Sequence, residues 1–145
     1  MRSDSLATPE ITNTSGNPMR TVPPQARGGS WGAFVFGGIW ALSNRVWFGA
    51  LSFLAFMAPF MFERYNVFNT SATLLGVGVW LYLTARGRTL AWRHKRWASY
   101  EHFHATQVRW SKAAKIVFAI TLVLATAFAV AFWLMLSAGL SAMKG

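Results

Sequence analysis

The chain contains no cysteine and only four acidic residues among 145: Asp4, Glu10, Glu63 and Glu101. The first absence excludes disulfides, thiolate nucleophiles and Cys-based zinc sites. The second leaves little for acid-base chemistry, because Asp4 and Glu10 fall in a polar N-terminal stretch, Glu63 stands apart, and no Ser, His and Asp set is placed to assemble. A phosphate-cradling glycine loop is also missing: Gly37-Gly38 and Gly76-x-Gly78 lie in apolar helical stretches where close packing accounts for them. The expectation is therefore a protein that is not an enzyme and carries no cofactor. Residues 1–28 lack the apolar core of a secretory signal peptide. Rich in Ser, Thr, Pro, Asn and Gly, they have too little apolar surface to offset ordering entropy, which predicts a disordered tail.

What is present is grease and positive charge. Apolar residues make up 54% of the chain and charged ones 12%, with a mean hydropathy of +0.32. Such a balance points to a bilayer protein. The net charge of +10 would suggest nucleic acid as a partner for a soluble protein. In a membrane protein the same excess encodes topology, so no nucleic-acid partner is expected.

Three uncharged apolar runs can be tested against the roughly 20 helical residues that span a bilayer. Residues 46–62 contain Pro59 near their end, residues 67–85 open with the capping types Asn69, Thr70 and Ser71, and residues 116–137 carry no charge. All three are read as transmembrane helices. Residues 29–44 are too short to cross alone and too apolar for a soluble loop, and joining them to the next run would overshoot one bilayer, so a break is predicted near residues 43–45. They are read as an interfacial or re-entrant helix. Within it Gly29, Ala33, Gly37 and Ala41 recur every fourth residue, a small-residue seam that lets another helix approach its backbone. The plainer reading is that Gly and Ala are simply common in membrane helices. The fold class expected is thus an all-α membrane protein with one membrane domain over residues 29–145.

Charge sets the orientation. Between the second and third spans stand Arg86, Arg88, Arg93, Lys95, Arg96, Arg109, Lys112 and Lys115 against the single acid Glu101, while the loop between the first two spans has only Glu63 and Arg64. The basic segment should face the cytosol, which puts the N-terminus in the cytosol and the C-terminus outside.

The core Trp31-Gly-Ala33-Phe34-Val-Phe36-Gly37-Gly-Ile-Trp40, followed by Arg45 and Trp47, resembles the W-x-A-F-x-F-G-x-x-W pattern of a small bacterial integral-membrane domain-of-unknown-function family. Gly87, Ala91 and Trp92, then Trp97, Ser99, Glu101, Phe103, Gln107 and Trp110, are similar to a second pattern associated with such proteins. The resemblance implies a bacterial membrane protein, hence the inner membrane, and a shared fold; it implies no activity.

The segment 86–115 is the candidate functional surface. If it is a helical hairpin broken at Ala98 and Ser99, Ser99 caps the second helix, Glu101 sits in its first turn, and Tyr100, Phe103, Gln107 and Trp110 form one stripe that Trp92 and Trp97 can face. Arg86, Arg88, Trp92, Arg93, Lys95, Arg96, Trp97, Arg109, Trp110 and Lys112 are then the residues expected to contact anionic membrane lipid or a protein partner. Against this stands the plain alternative of topology and anchoring alone. His102 and His104 are two apart and diverge on a helix, so no metal site is expected from them with His94. The function expected is an accessory or scaffold that packs against another membrane protein or itself. The alternative is a small oligomeric channel or carrier, although the intramembrane ionisable residues that mark substrate paths are missing from the runs.

Overall fold

A computed structural model describes residues 12–61 and 66–142. The chain is all-helical over those residues: a 3-10 turn at Pro24–Ala26, α1 at Trp31–Ser43, a 3-10 helix at Trp47–Phe53 leading into α2 at Leu54–Met61, α3 at Val67–His94, and α4 at Tyr100–Ala142. Glu63, Arg64 and residues 1–11 lie outside the described residues. Two helices, α3 and α4, are long and apolar enough to cross a membrane. The run at 46–62, expected as a third spanning α-helix, instead begins as seven residues of 3-10 helix and continues as an eight-residue α-helix with Pro59 inside it.

The helix ends follow from local chemistry. Ser30 caps α1, its hydroxyl accepting from Ala33 N–H at 3.3 Å. At the other end Val46 N–H donates to Ala41 O at 2.9 Å and Arg45 N–H to Leu42 O at 3.0 Å, with Arg45 in the left-handed region at φ 60°. This paired pattern is a Schellman stop. It provides the break at residues 43–45 that the length argument requires. Asn66, rather than Asn69 to Ser71, caps α3 by accepting from Phe68 N–H at 3.0 Å. The helix thus begins one turn before the cluster of capping types. Ser99 opens α4, its hydroxyl accepting from His102 N–H at 3.2 Å.

Ring and hydrogen-bond contacts fix the directions of the helices. Near its start, α1 stacks Phe34 on Trp80 of α3 at 5.4 Å, and the same Phe34 meets Phe118 of α4 at 5.8 Å. At its end, Ser43 O accepts from Lys95 Nζ at 3.2 Å and Asn44 Oδ1 accepts from Gln107 Nε2 at 3.1 Å. Helix α1 is therefore two short helices joined at a kink at Gly37: the first runs antiparallel to α3, with Ser30 at Thr84 and Phe34 at Trp80, and the second returns parallel to α3, bringing Ser43 to Lys95 and Asn44 to Gln107.

One glycine lets α1 lie close to α3 and another turns its path. A Cβ on Gly87 would stand 2.7 Å from Ser30 Cβ and 3.0 Å from Trp40 Cη2, closer than side-chain atoms pack. Gly37 has φ 47° and ψ −117°, which interrupts α1 in its middle. The row Gly29, Ala33, Gly37 and Ala41 is consequently a docking face in two pieces. Ala33 packs toward Gly87 on α3, and Ala41 against Gly49 of the 3-10 helix. Ala33 and Ala41 are fully buried.

The core gathers around Trp40, Trp92, Trp97 and Phe103, all buried, and Val22 and Ala26 from the N-terminal stretch belong to it. Here the structure departs from the disordered tail expected over residues 1–28. From Asn13 onward the chain lies along the hairpin, because short polar side chains satisfy its backbone groups and those of the turn. Asn13 Nδ2 donates to Trp97 O at 2.8 Å, Gly16 N–H to Trp92 O at 2.9 Å, and Ser30 N–H to Thr84 O at 3.0 Å. Composition undercounted this segment because two small apolar residues and a set of hydrogen bonds anchor it.

Beyond Phe118, by contrast, α4 packs against almost nothing among the described residues. The most apolar stretch of that helix has none of its residues buried.

Candidate functional site

The hairpin anticipated from sequence is formed by the upper parts of α3 and α4 and the turn at 95–99. Its inner stripe is the predicted one. Phe103 and Gln107 are buried, Tyr100 and Trp110 are half-buried, and Trp92 meets Phe103 edge to face at 5.1 Å while Trp97 meets it at 5.3 Å. Trp110 packs edge-on to Phe36 of α1 at 5.4 Å.

This packing removes some residues from the expected contact surface. Trp92 is 1% exposed and Trp97 3%. Their indole N–H groups are used internally, Trp92 Nε1 donating to the Thr14 hydroxyl at 3.2 Å and Trp97 Nε1 to Ala91 O at 3.0 Å. Neither can touch lipid or a partner in this fold; both are core, because the hairpin needs large side chains to fill the gap at its turn. Arg88 is similarly turned inward. Its Nη2 donates to Gln25 O at 2.9 Å, its guanidinium carbon lies 5.7 Å from the Phe103 ring centre, and its backbone N–H donates to Gly28 O at 3.1 Å. It ties the N-terminal stretch to the hairpin. Lys95 reaches Ser43 O and lies 4.5 Å over the Trp97 ring.

What remains on the outside is a smaller basic surface: Arg86, Arg93, Arg96, Arg109 and Lys112, all exposed. Arg86 and Arg93 are seven apart on α3, and Arg109 and Lys112 three apart on α4, so each pair shares a helix face. Lys115 lies 5.8 Å over the Trp31 ring. Above this level the basic residues cluster, whereas α4 carries no charged residue from Ile116 to Ala142.

The three histidines go to three places. His94 Nδ1 is 3.0 Å from Leu90 O with its ring near Phe48, His102 lies against Trp97, and His104 stacks on Tyr100. Among the described residues no group of three or more His, Cys, Asp or Glu could hold a metal. Glu101 is held below its ordinary value of 4.5 because the Ser99 hydroxyl and its own backbone N–H hydrogen-bond to the ionised form.

Sequence reasoning missed two features. One is a buried polar contact, Asn44 to Gln107; Asn44 Nδ2 donates in turn to Trp40 O at 2.8 Å, while Trp40 Nε1 and Gln107 Oε1 are buried with no partner among the described residues. A polar Asn closing an apolar helix was the available signal. The other is the loop at residues 13–20, whose Asn-Thr-Ser-Gly-Asn run is turn chemistry.

No family model, curated protein or solved structure matches the chain.

Proposed function

We propose that the chain is a small integral-membrane protein of the bacterial inner membrane, not an enzyme, which crosses three times and serves as an accessory or scaffold for a membrane partner. Its exposed basic surface rests on anionic headgroups on the cytosolic side. The single observation that carries this reading is the contrast within α4: its first part is built into a packed bundle, while the apolar remainder is exposed around its whole circumference. Such a surface requires lipid or another helix to cover it.

The third crossing is supported by connectivity. Asn13 and Gly16 are hydrogen-bonded at the hairpin turn, so the described chain starts at the same end as that turn. If α3 crosses, it begins at the opposite end, and the chain through residues 47–61 has to make the return. Seven residues of 3-10 helix at ~2.0 Å and eight of α-helix at ~1.5 Å give about 26 Å, close to the hydrocarbon thickness. The extended pitch makes up for the short segment. Trp31, Phe34, Trp80 and Phe118 then form an aromatic layer where charge gives way to apolar helix, which suits a headgroup boundary.

Mild detergent extraction followed by copurification and mass identification tests the scaffold role; a strictly monomeric protein without a stable companion contradicts it. The rival, a small oligomeric channel or carrier, finds little support in α4. The hydroxyls of Thr126, Ser137 and Ser141 donate to carbonyls of their own helix, at 2.8, 2.8 and 2.9 Å, rather than into a path. Solute flux in reconstituted vesicles would favour the rival.

A further inference from the structure

The loop at residues 13–20 folds back on the hairpin turn and borders, with Arg96, an open polar cleft of about 440 Å³. Its lining is residues 13–17, Arg20 and Arg96. The chemistry of this lining is one-sided. The side-chain acceptors are already used: Asn13 Oδ1 takes Ser15 N–H at 3.2 Å and the Ser15 hydroxyl at 2.6 Å, the Thr14 hydroxyl oxygen takes Trp92 Nε1, the Ser15 oxygen takes Trp97 N–H at 2.9 Å, and Asn17 Oδ1 takes Met19 N–H at 3.0 Å. Donors are left over. The Arg20 and Arg96 guanidinium groups have no hydrogen bond or ion pair with any described residue, and the lining contains no carboxylate.

Two permanent cations at the border of one cleft repel each other, and an arrangement in which side-chain acceptors are used and charged donors are free selects an anion over a cation. The loop is not a loose flap. Asn13 Nδ2 is anchored on Trp97 O, Gly16 N–H on Trp92 O, and the Thr14 hydroxyl donates to Thr21 O at 2.9 Å, so these bonds, with those from Trp92 and Trp97 to the loop hydroxyls, hold the loop in shape. Arg20 comes from the N-terminal stretch and Arg96 from the hairpin turn, so two separate segments each bring one cation to the cleft, and a multiply charged group can pair with both.

From this geometry we infer that the cleft is a binding site for a phosphate group, free or carried on an ester, at the cytosolic tip of the hairpin. Arg20 and Arg96 clamp its oxygens and the Asn17 amide donates a further hydrogen bond. The site is independent of the scaffold reading, since it needs neither a protein partner nor the outward basic face of α3 and α4.

The test is calorimetric titration of the detergent-solubilised full-length protein with inorganic phosphate, alongside cosedimentation with vesicles of phosphatidylcholine with or without phosphatidic acid. Saturable phosphate binding that weakens about tenfold in both Arg20→Gln and Arg96→Gln, but not in Arg109→Gln, is the expected result. If only vesicles with phosphatidic acid bind, with the same loss in those two variants, the site holds and its phosphate belongs to a lipid headgroup. Binding that ignores both substitutions, or no saturable binding to either probe, overturns the proposal. Binding that emerges only in Asp4→Asn, Glu10→Gln protein assigns the cleft to the chain's own carboxylates and overturns it equally. Arg20 makes no side-chain bond, so Arg20→Gln reports on binding even if Arg96→Gln disturbs the turn; thermal midpoints of both variants check folding.

Discussion

The Trp92 and Phe103 rings meet edge to face at 5.1 Å and 83° across the hairpin turn, and both are almost wholly buried. Trp97 closes on the same Phe103 ring from the turn itself. One phenylalanine thus joins α3, α4 and their connection. Phe103→Ala should cost about 3–5 kcal/mol, the range for emptying an aromatic site in a core. Equilibrium unfolding of purified protein measures it, and a red shift of tryptophan emission shows that Trp92 and Trp97 have been reached by water.

Arg45 occupies the left-handed region at φ 60° in the stop that ends α1. A side chain there costs roughly 1–2 kcal/mol that glycine avoids. Arg45→Gly should therefore stabilise the fold by up to about 1 kcal/mol, after allowing for glycine's greater freedom in the unfolded chain. A rise in thermal midpoint checks it; a fall means that the arginine side chain itself contributes.

Asn44 and Gln107 share a buried hydrogen bond of 3.1 Å between the end of α1 and the middle of the α4 stripe. Each single change to alanine leaves the other amide without its partner and should cost about 1–3 kcal/mol. A double-mutant cycle should give a coupling of about 0.5–1.5 kcal/mol. Additive single effects would remove this contact as a cause of α1 docking.

Glu101 gives a pH signature. Its carboxyl is held below 4.5 in the fold, first by the Ser99 hydroxyl and then by its backbone N–H. A depressed value means that the folded state favours the ionised form; the contribution is complete above the ordinary value and disappears as pH falls through the folded one. The difference in thermal midpoint between the parent protein and Glu101→Gln should accordingly be constant at neutral pH and shrink below about pH 4.5. Ser99→Ala should reduce that difference and also remove the α4 cap, costing about 1 kcal/mol.

These predictions concern features that differ in how legible they were. The aromatic stripe of α4 and the break after α1 could be read from the sequence, because period and length are properties of neighbouring residues. The role of Trp92 and Trp97 could not. A tryptophan among arginines has the composition of a headgroup anchor, and only the packing of Phe103 against both turns them inward. The run at 46–62 has the hydropathy of a spanning helix but adopts 3-10 geometry over its first half, where it packs on α1 through Gly49 against Ala41 and Phe53 against Gly38, contacts that hydropathy does not encode. The N-terminal stretch was the largest miss. Its anchoring depends on hydrogen bonds to residues more than 80 positions away, such as Asn13 to Trp97, which composition does not encode.

Sidedness is tested most directly by single cysteines, for which the cysteine-free chain is a clean background. Thr12→Cys, Ala98→Cys and Ser141→Cys, all at exposed positions, can each be exposed to a membrane-impermeant maleimide in bacterial spheroplasts and in inverted membrane vesicles. T12C and A98C should be modified only in inverted vesicles, and S141C only in spheroplasts. Labelling of A98C from the outside, or of T12C and A98C from opposite faces, would contradict this sidedness.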